Sequence, residues 1–368
     1  MKMPQILADK LVRPNVAALK PYQSARSQAE AEEGFLLLDA AENPFCPFDD
    51  EDHVLTNSLN RYPEPQPREV LEKLADIYSV AADNVLVTRG SEEAIRLVIQ
   101  AFCQPRQDKI LLCPPTFGLY VIEANIHDIE TVNVPRLGEY SEELDIQGIR
   151  KAIDTNSNIK CVFVCNPGNP SSTPIPTDQI EELLIALKDE CMVIVDEAYI
   201  EFASHESFAQ KIQEYSNLIV LRTLSKSYGL AGLRCGTIVA DADILKYFKR
   251  ITAAYPVPRS SAEIILSALS PERQKYMHEQ QQLICTERDR LVQELQKLEV
   301  IKKVYPSDTN FICVEVEDAQ EMSQKLRENK VIVRVRSPAI PNSLNIAVGT
   351  KEQNDHVLKS LEEINHRS

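Results

Sequence analysis

Short apolar runs recur through the first two thirds of the chain, and each empties into a polar or turn-forming segment. Residues 84–88, 109–113, 130–134, 160–165, 192–196, 218–222 and 236–240 read as strands of this kind. Helical patterns separate many of them. In residues 92–102, Ala94, Leu97, Val98 and Ala101 fall on one face, and Gly90-Ser91 stands at the start. Alternating strand and helix predict an α/β architecture, with a mostly parallel sheet covered by helices on both faces. After Pro258 the pattern changes. A long charged helical run over 271–298, then short strands over 310–316, 331–336 and 344–348, predict a second, smaller α+β unit.

Three strand ends carry candidate chemistry. The run Met192-Val193-Ile194-Val195 ends in Asp196, with Tyr199 three residues on. A buried parallel strand of this type presents its C-terminal residue to a crevice. Cys161 to Cys165 empties into Asn166-Pro167-Gly168-Asn169-Pro170, and Leu218 to Arg222 into Thr223-Leu224-Ser225-Lys226-Ser227. Arg234 follows Lys226 by eight positions. A lysine amine forms a Schiff base with a carbonyl cofactor, and hydroxyls with a guanidinium neutralise a phosphate that anchors it. Each segment taken alone also reads as structure: a helix cap for Asp196, a core aromatic for Tyr199, a plain Asn-Pro turn, and a solvated loop around Lys226.

Taken together, the segments resemble the fold-type-I pyridoxal-phosphate aminotransferases, and among them the histidinol-phosphate branch. The order Asn169, Asp196, Tyr199, Lys226, Arg234 matches that family's order of cofactor ligands. Many aminotransferases share the Asp-Glu-Ala-Tyr and lysine segments. Narrower are Lys20-Pro21-Tyr22-Gln23-Ser24-Ala25-Arg26 and Arg61-Tyr62-Pro63-Glu64. The resemblance covers nearly the whole chain. It implies a large cofactor domain over 45–256, and a small domain made of 1–44 with 257–368.

The resemblance also implies roles. Lys226 would hold pyridoxal phosphate and shuttle a proton once freed, a task that needs a neutral amine. Asp196 would pair with the ring nitrogen, Tyr199 and Asn169 with the ring oxygen, and Phe117 would stack on the ring. Gly90, Ser91, Glu92, Ser225 and Arg234 would meet the phosphate, joined by Tyr62 of a neighbouring subunit, so the expected assembly is a homodimer. Tyr22, Tyr255 and Arg334 would recognise the phosphorylated substrate. Arg334 and Arg336 also read as outward charges on an edge strand, where they would limit aggregation. The implied reaction exchanges an amino group between histidinol phosphate and 2-oxoglutarate, with glutamate as the other amino acid, in histidine synthesis. No metal is part of this reading.

The chain departs from the family pattern at Leu344-Asn345-Ile346-Ala347-Val348-Gly349-Thr350, where an arginine usually occupies the place of Asn345. An asparagine offers a carboxylate neither charge nor fork, which predicts donor binding weaker by about 1.5–3 kcal/mol. The stretch from Arg334 to Asn345 is two residues shorter than the pattern, and Arg336 is a candidate for the missing cation. Ser171-Ser172 replace the usual Thr-Gly, and Asp39 and Ala41 replace asparagines. The change at Asn345 leaves open a paralogue acting on another phosphorylated or aromatic amine, or a decarboxylase. A catalytically silent binding or regulatory protein is opposed by the retention of all five cofactor ligands.

Charge and composition narrow the setting. The 40 basic and 55 acidic residues give −15, spread along the chain. Such a surface repels nucleic acid and anionic lipid, and makes any arginine near a site for anionic substrates more consequential. No apolar run is long enough to cross a bilayer, and the first residues lack a signal-peptide stretch, so a cytoplasmic location is expected. Nine cysteines without a CxxC pair predict reduced thiols.

Overall fold

The computed structural model describes residues 6–21, 40–43 and 59–366. Its larger sheet has seven strands: β1 (Val85–Thr88), β2 (Lys109–Leu112), β3 (Glu130–Asn133), β4 (Ile159–Cys165), β5 (Met192–Asp196), β6 (Leu218–Thr223) and β7 (Gly236–Ala240). Their order is β1-β7-β6-β5-β4-β2-β3. Strands β2 to β6 run parallel, as the apolar runs predict, whereas β7 is antiparallel to both β6 and β1. The connection between β6 and β7, Leu224 to Cys235, is the turn that carries Lys226. It holds no crossover helix long enough to return the chain for a parallel pairing.

Residues alternate between two apolar layers. Val85, Val87, Val162, Val164, Val193 and Val195 pack against helices Arg68–Tyr78, Ile146–Thr155 and Thr177–Ala186. Leu86, Cys161, Phe163, Met192 and Ile194 pack against Gly90–Phe102, Leu119–Ile126 and Ala242–Phe248. Each such side chain stabilises the fold by about 1.5–3 kcal/mol when fully buried. The central strands are therefore rigid and hold their C-terminal ends in place.

The smaller unit is a four-stranded antiparallel sheet: β8 (Lys303–Val304), β9 (Phe311–Glu315), β10 (Arg334–Val335) and β11 (Ser343–Ala347), ordered β10-β11-β9-β8. Its core joins Ile312, Val314, Leu344 and Ile346 to Leu291 and Leu295 of helix Pro271–Leu295 and to Leu358 and Leu361 of helix Lys351–Asn365. Strand β10 covers only two of the six expected residues, and β8 is too short for its pattern to stand out.

Two segments pack differently from the expected division at residues 45 and 256. Leu7, Ala8, Val12 and Val16 lie in the layer with helix Gly90–Phe102, and Val257, Ala262, Ile265 and Leu269 lie against helix Arg68–Tyr78. Both join the apolar layers of the larger unit. The eight described cysteines are free thiols, and Cys46 lies outside the described residues.

Candidate active site

Strands β4, β5 and β6 end side by side at Cys165, Asp196 and Thr223, and these residues border a cavity of about 390 Å³. That size is within the range of small-molecule sites, roughly 300–1,000 Å³. Asn169, Tyr199, Lys226, Arg234 and Phe117 border the same space, as do Ser91, Glu92 and Ser225. Parallel strands converge on this end because successive crossovers return the chain to the opposite edge.

Asp196 is buried at the floor of the cavity. Its Oδ2 accepts a 2.6 Å hydrogen bond from the Tyr120 hydroxyl, and its Oδ1 a 3.2 Å bond from the Ala198 N–H. Burial pushes this carboxyl above its ordinary range, while Tyr120, Ala198 and the nearby Lys226 cation oppose the shift. The sequence reading did not find Tyr120. The available signal was its position three residues after Phe117, at the start of an apolar helix where a buried hydroxyl must find a partner.

The Tyr199 hydroxyl accepts a 3.0 Å bond from Asn169 Nδ2, so its own proton remains free to be donated into the cavity. Burial raises the Tyr199 pKa and keeps it a donor. Its ring meets Phe311 edge-on at 5.3 Å, which ties β9 of the small sheet to this corner. Behind it lies a buried charge cluster that the sequence did not reveal. Glu197 accepts from the Phe208 N–H and the Ser207 hydroxyl, and Arg222 lies 2.7 Å from Glu201 and 3.6 Å from Glu197. Burial pushes Glu197 up to about 7 against the pull of Arg222. The Ser171-Ser172 substitution leaves the Asn169 contact in place, with Ser171 bonded to Thr173 at 2.8 Å.

Lys226 sits in the turn after β6. There Thr223 Oγ1 accepts from the Ser225 N–H at 3.1 Å and donates to Ser225 Oγ at 2.9 Å. Among the described residues, no hydrogen bond or ion pair engages the Lys226 amine, which lies 5.5 Å from the Tyr199 ring centroid. Partial burial lowers its proton affinity, Arg234 and Arg336 lower it further, and Asp196 and Glu92 oppose. The neutral amine that the chemistry requires is thereby favoured.

Opposite the lysine turn, helix Gly90–Phe102 begins directly after β1 and brings Ser91 and Glu92 to the cavity, and the N–H groups of its first turn have no partner within the helix. Gly90 adopts φ +74°, and a Cβ there would fall 2.5 Å from Arg234 Nη2. Glycine thus lets the guanidinium lie against the helix start, where Arg234 Nη2 is 3.4 Å from Glu92 Oε2. Gly236 supports the same place, since a Cβ on it would lie 2.4 Å from the Gly90 carbonyl carbon.

The small sheet brings Arg334 and Arg336 to the cavity. The edge-strand expectation is right about the position of β10, but both side chains border the site. The other expected substrate residues stand apart. Asn345 pairs with Arg334 across β10 and β11, is buried, does not border the cavity, and has no hydrogen-bond partner on either amide atom. Tyr62 and Tyr255 stack at 4.6 Å, and neither borders the cavity. Tyr22 and Asp39 lie outside the described residues.

Residues 36–361 match the family Aminotransferase class I and II. The chain belongs to this family. Pyridoxal phosphate is the cofactor of class I and II aminotransferases. The histidinol-phosphate aminotransferase of Escherichia coli is 38% identical over 353 residues, 95% of this chain and 96% of its own length. Histidinol-phosphate aminotransferase 1 of Haemophilus influenzae is 35% identical over 96% of this chain and 98% of its own. Among solved structures, the histidinol-phosphate aminotransferase of Sinorhizobium meliloti in complex with pyridoxal-5'-phosphate superposes with TM-score 0.75 at 21% identity, over 83% of each chain. That last likeness carries the fold.

This aminotransferase has the donor set its family's cofactor needs. A buried carboxylate, a tyrosine proton, an unpartnered lysine amine and a glycine-relieved arginine at a helix start border one cavity, with Phe117 along its wall. Among the described residues no helix is long and apolar enough to cross a membrane.

Proposed function

We propose that this aminotransferase exchanges the amino group of histidinol phosphate with 2-oxoglutarate, giving imidazole acetol phosphate and L-glutamate, as a cytoplasmic homodimer in histidine synthesis. One observation carries the reading: Lys226, Asp196, Tyr199, Asn169 and Arg234 border a single cavity that two further arginines also face. The relatives named above support the substrate.

When bound, pyridoxal phosphate supplies an aldehyde that carries the amino group and a ring that accepts the electrons of the broken bond. The chain supplies everything else. Lys226 Nζ would hold the cofactor and, once freed as a neutral amine, would move a proton at the substrate carbon that bears nitrogen. Asp196, oriented by the Tyr120 hydroxyl, would keep the ring nitrogen protonated. Tyr199 would donate to the ring oxygen, its proton directed by the bond it accepts from Asn169. The N–H groups at Gly90, Ser91 and Glu92, with Ser225 and Arg234, would bind the phosphate.

Arg334 borders the cavity and would receive the phosphate of the substrate. Tyr62 is 48% exposed and outside its own cavity, which supports its service, together with Tyr255, at a site shared with a second subunit. The histidinol-phosphate relatives favour this reading over the paralogue that Asn345 leaves open, and substrate choice tests it. Histidinol phosphate at millimolar concentration should bleach the visible band of the cofactor-loaded enzyme, and 2-oxoglutarate should restore it. A band that histidinol phosphate leaves unchanged, while another amine bleaches it, rejects the substrate assignment.

A further inference from the structure

Three guanidinium groups border the cavity beside Lys226: Arg234, Arg334 and Arg336. Arg234 is occupied at the helix start, against Glu92. Arg336 is half-buried, yet among the described residues it has no ion pair and no side-chain hydrogen bond, and its Nε is buried without a partner. A partly desolvated guanidinium with no counter-ion is costly unless an anion arrives to complete it. The proposed amino donor, glutamate, brings one. Its α-carboxylate is attached to the carbon whose amine must reach the place of Lys226 Nζ, so the receiving cation must border the cavity close to that lysine. Arg336 is close enough to lower the proton affinity of Lys226, and the Tyr199 hydroxyl lies within its influence.

The sheet register explains how position 336 reaches this place. Arg334 opposes Asn345, Val335 opposes Leu344, and the Arg336 N–H donates to the Ser343 carbonyl at 2.9 Å. Arg336 is therefore diagonal to Asn345 on the same face of the sheet. Diagonal neighbours are about 7–8 Å apart, within reach of a long side chain. Asn345 itself carries no charge and does not border the cavity.

We propose that Arg336, the residue that follows β10, is the receptor for the α-carboxylate of the amino donor and so sets donor specificity from beside β11. The proposal rests on the aminotransferase reading above and adds to it a residue for the donor half of the reaction. The fork geometry of a guanidinium suits a carboxylate in two-point contact, and a lysine would supply the charge without the fork. Arg334, more exposed on the same face, is left to the distal anion of either substrate.

The test uses cofactor-loaded enzyme as wild type, Arg336→Gln, Arg336→Lys, and Arg336→Gln combined with Asn345→Arg. Each is titrated with glutamate, with histidinol phosphate, and by calorimetry with maleate, a dicarboxylate that cannot react. Arg336→Gln should raise half-saturation by glutamate and maleate on the order of 10- to 100-fold, while histidinol phosphate, which has no carboxylate, changes by less than about threefold. Arg336→Lys should fall between, and Asn345→Arg should recover part of the loss by restoring a guanidinium on the same face. Unchanged glutamate and maleate binding in Arg336→Gln overturns the proposal, as does an equal loss for all three ligands. If Arg336→Gln does not fold, the selective loss is read from Arg336→Lys, and an unselective loss there is equally fatal. Failure of wild-type enzyme to respond to histidinol phosphate would instead remove the substrate assignment, because maleate binding does not depend on it.

Discussion

The Tyr120 hydroxyl and Oδ2 of Asp196 are 2.6 Å apart, the phenol donating from a fully buried position to a carboxylate at the end of β5. Burial raises the Asp196 pKa, and the bond from Tyr120 is the foremost influence opposing it. Removing the hydroxyl in Tyr120→Phe leaves the ring in place and lets the carboxyl rise further. Affinity of the apoprotein for pyridoxal phosphate should fall by about 1.5–3 kcal/mol, the scale of a hydrogen bond to a charged group. The loss should shrink as pH rises, since higher pH restores the ionised carboxylate. Fluorescence titration across pH checks both, and an unchanged affinity at neutral pH contradicts the role.

Lys226 gives a second pH-dependent signature. Its folded pKa lies below the ordinary 10.5, chiefly through partial burial. Between the lowered value and 10.5 the unfolded chain holds a proton that the folded chain has released. Folding is therefore favoured as pH rises through that window, and the neutral amine becomes available earlier. Capture of pyridoxal phosphate by apoprotein should rise with pH and level off below 10.5. Arg336→Gln should move the midpoint up by removing a cation, and Asp196→Asn should move it down by removing an anion. Stopped-flow absorbance reads the midpoint, and shifts of the opposite sign would refute the electrostatic account.

Gly90 and Gly236 bear from two sides on the helix start proposed for the phosphate. Gly90→Ala places a Cβ on a residue at φ +74° and 2.5 Å from Arg234 Nη2, a flexible neighbour that can move away. The left-handed backbone costs roughly 1–2 kcal/mol. Gly236→Ala meets the backbone of Gly90, which cannot yield without displacing the helix start. Both should weaken cofactor binding, and Gly236→Ala should lower the melting temperature of the apoprotein further than Gly90→Ala. The reverse order in thermal denaturation contradicts this ranking.

Much of the cofactor end was legible in the chain, because buried parallel strands are continuous apolar runs and their exits are marked by polarity. Asp196, Asn169 and Lys226 stand just past such runs. The bond from Tyr120 to Asp196 was not legible, since the two stand 76 residues apart, on a helix and at a strand end that only the fold brings together. The reversal of β7 escaped notice because an apolar run carries no direction. The relation of Arg336 to Asn345 depends on the register of β10 and β11, and Val-Arg-Val-Arg alternation fixes a face without saying what the face meets. Leu7 to Val16 form two short helices, whose pattern could not show which sheet they cover.

The role proposed for Lys226 is to hold the cofactor through its side-chain amine. Borohydride reduction of the enzyme with pyridoxal phosphate, followed by proteolysis and mass spectrometry, should place the label on Lys226 alone, and Lys226→Ala should take up none. A label on a different lysine, or an undiminished label in Lys226→Ala, would contradict the account.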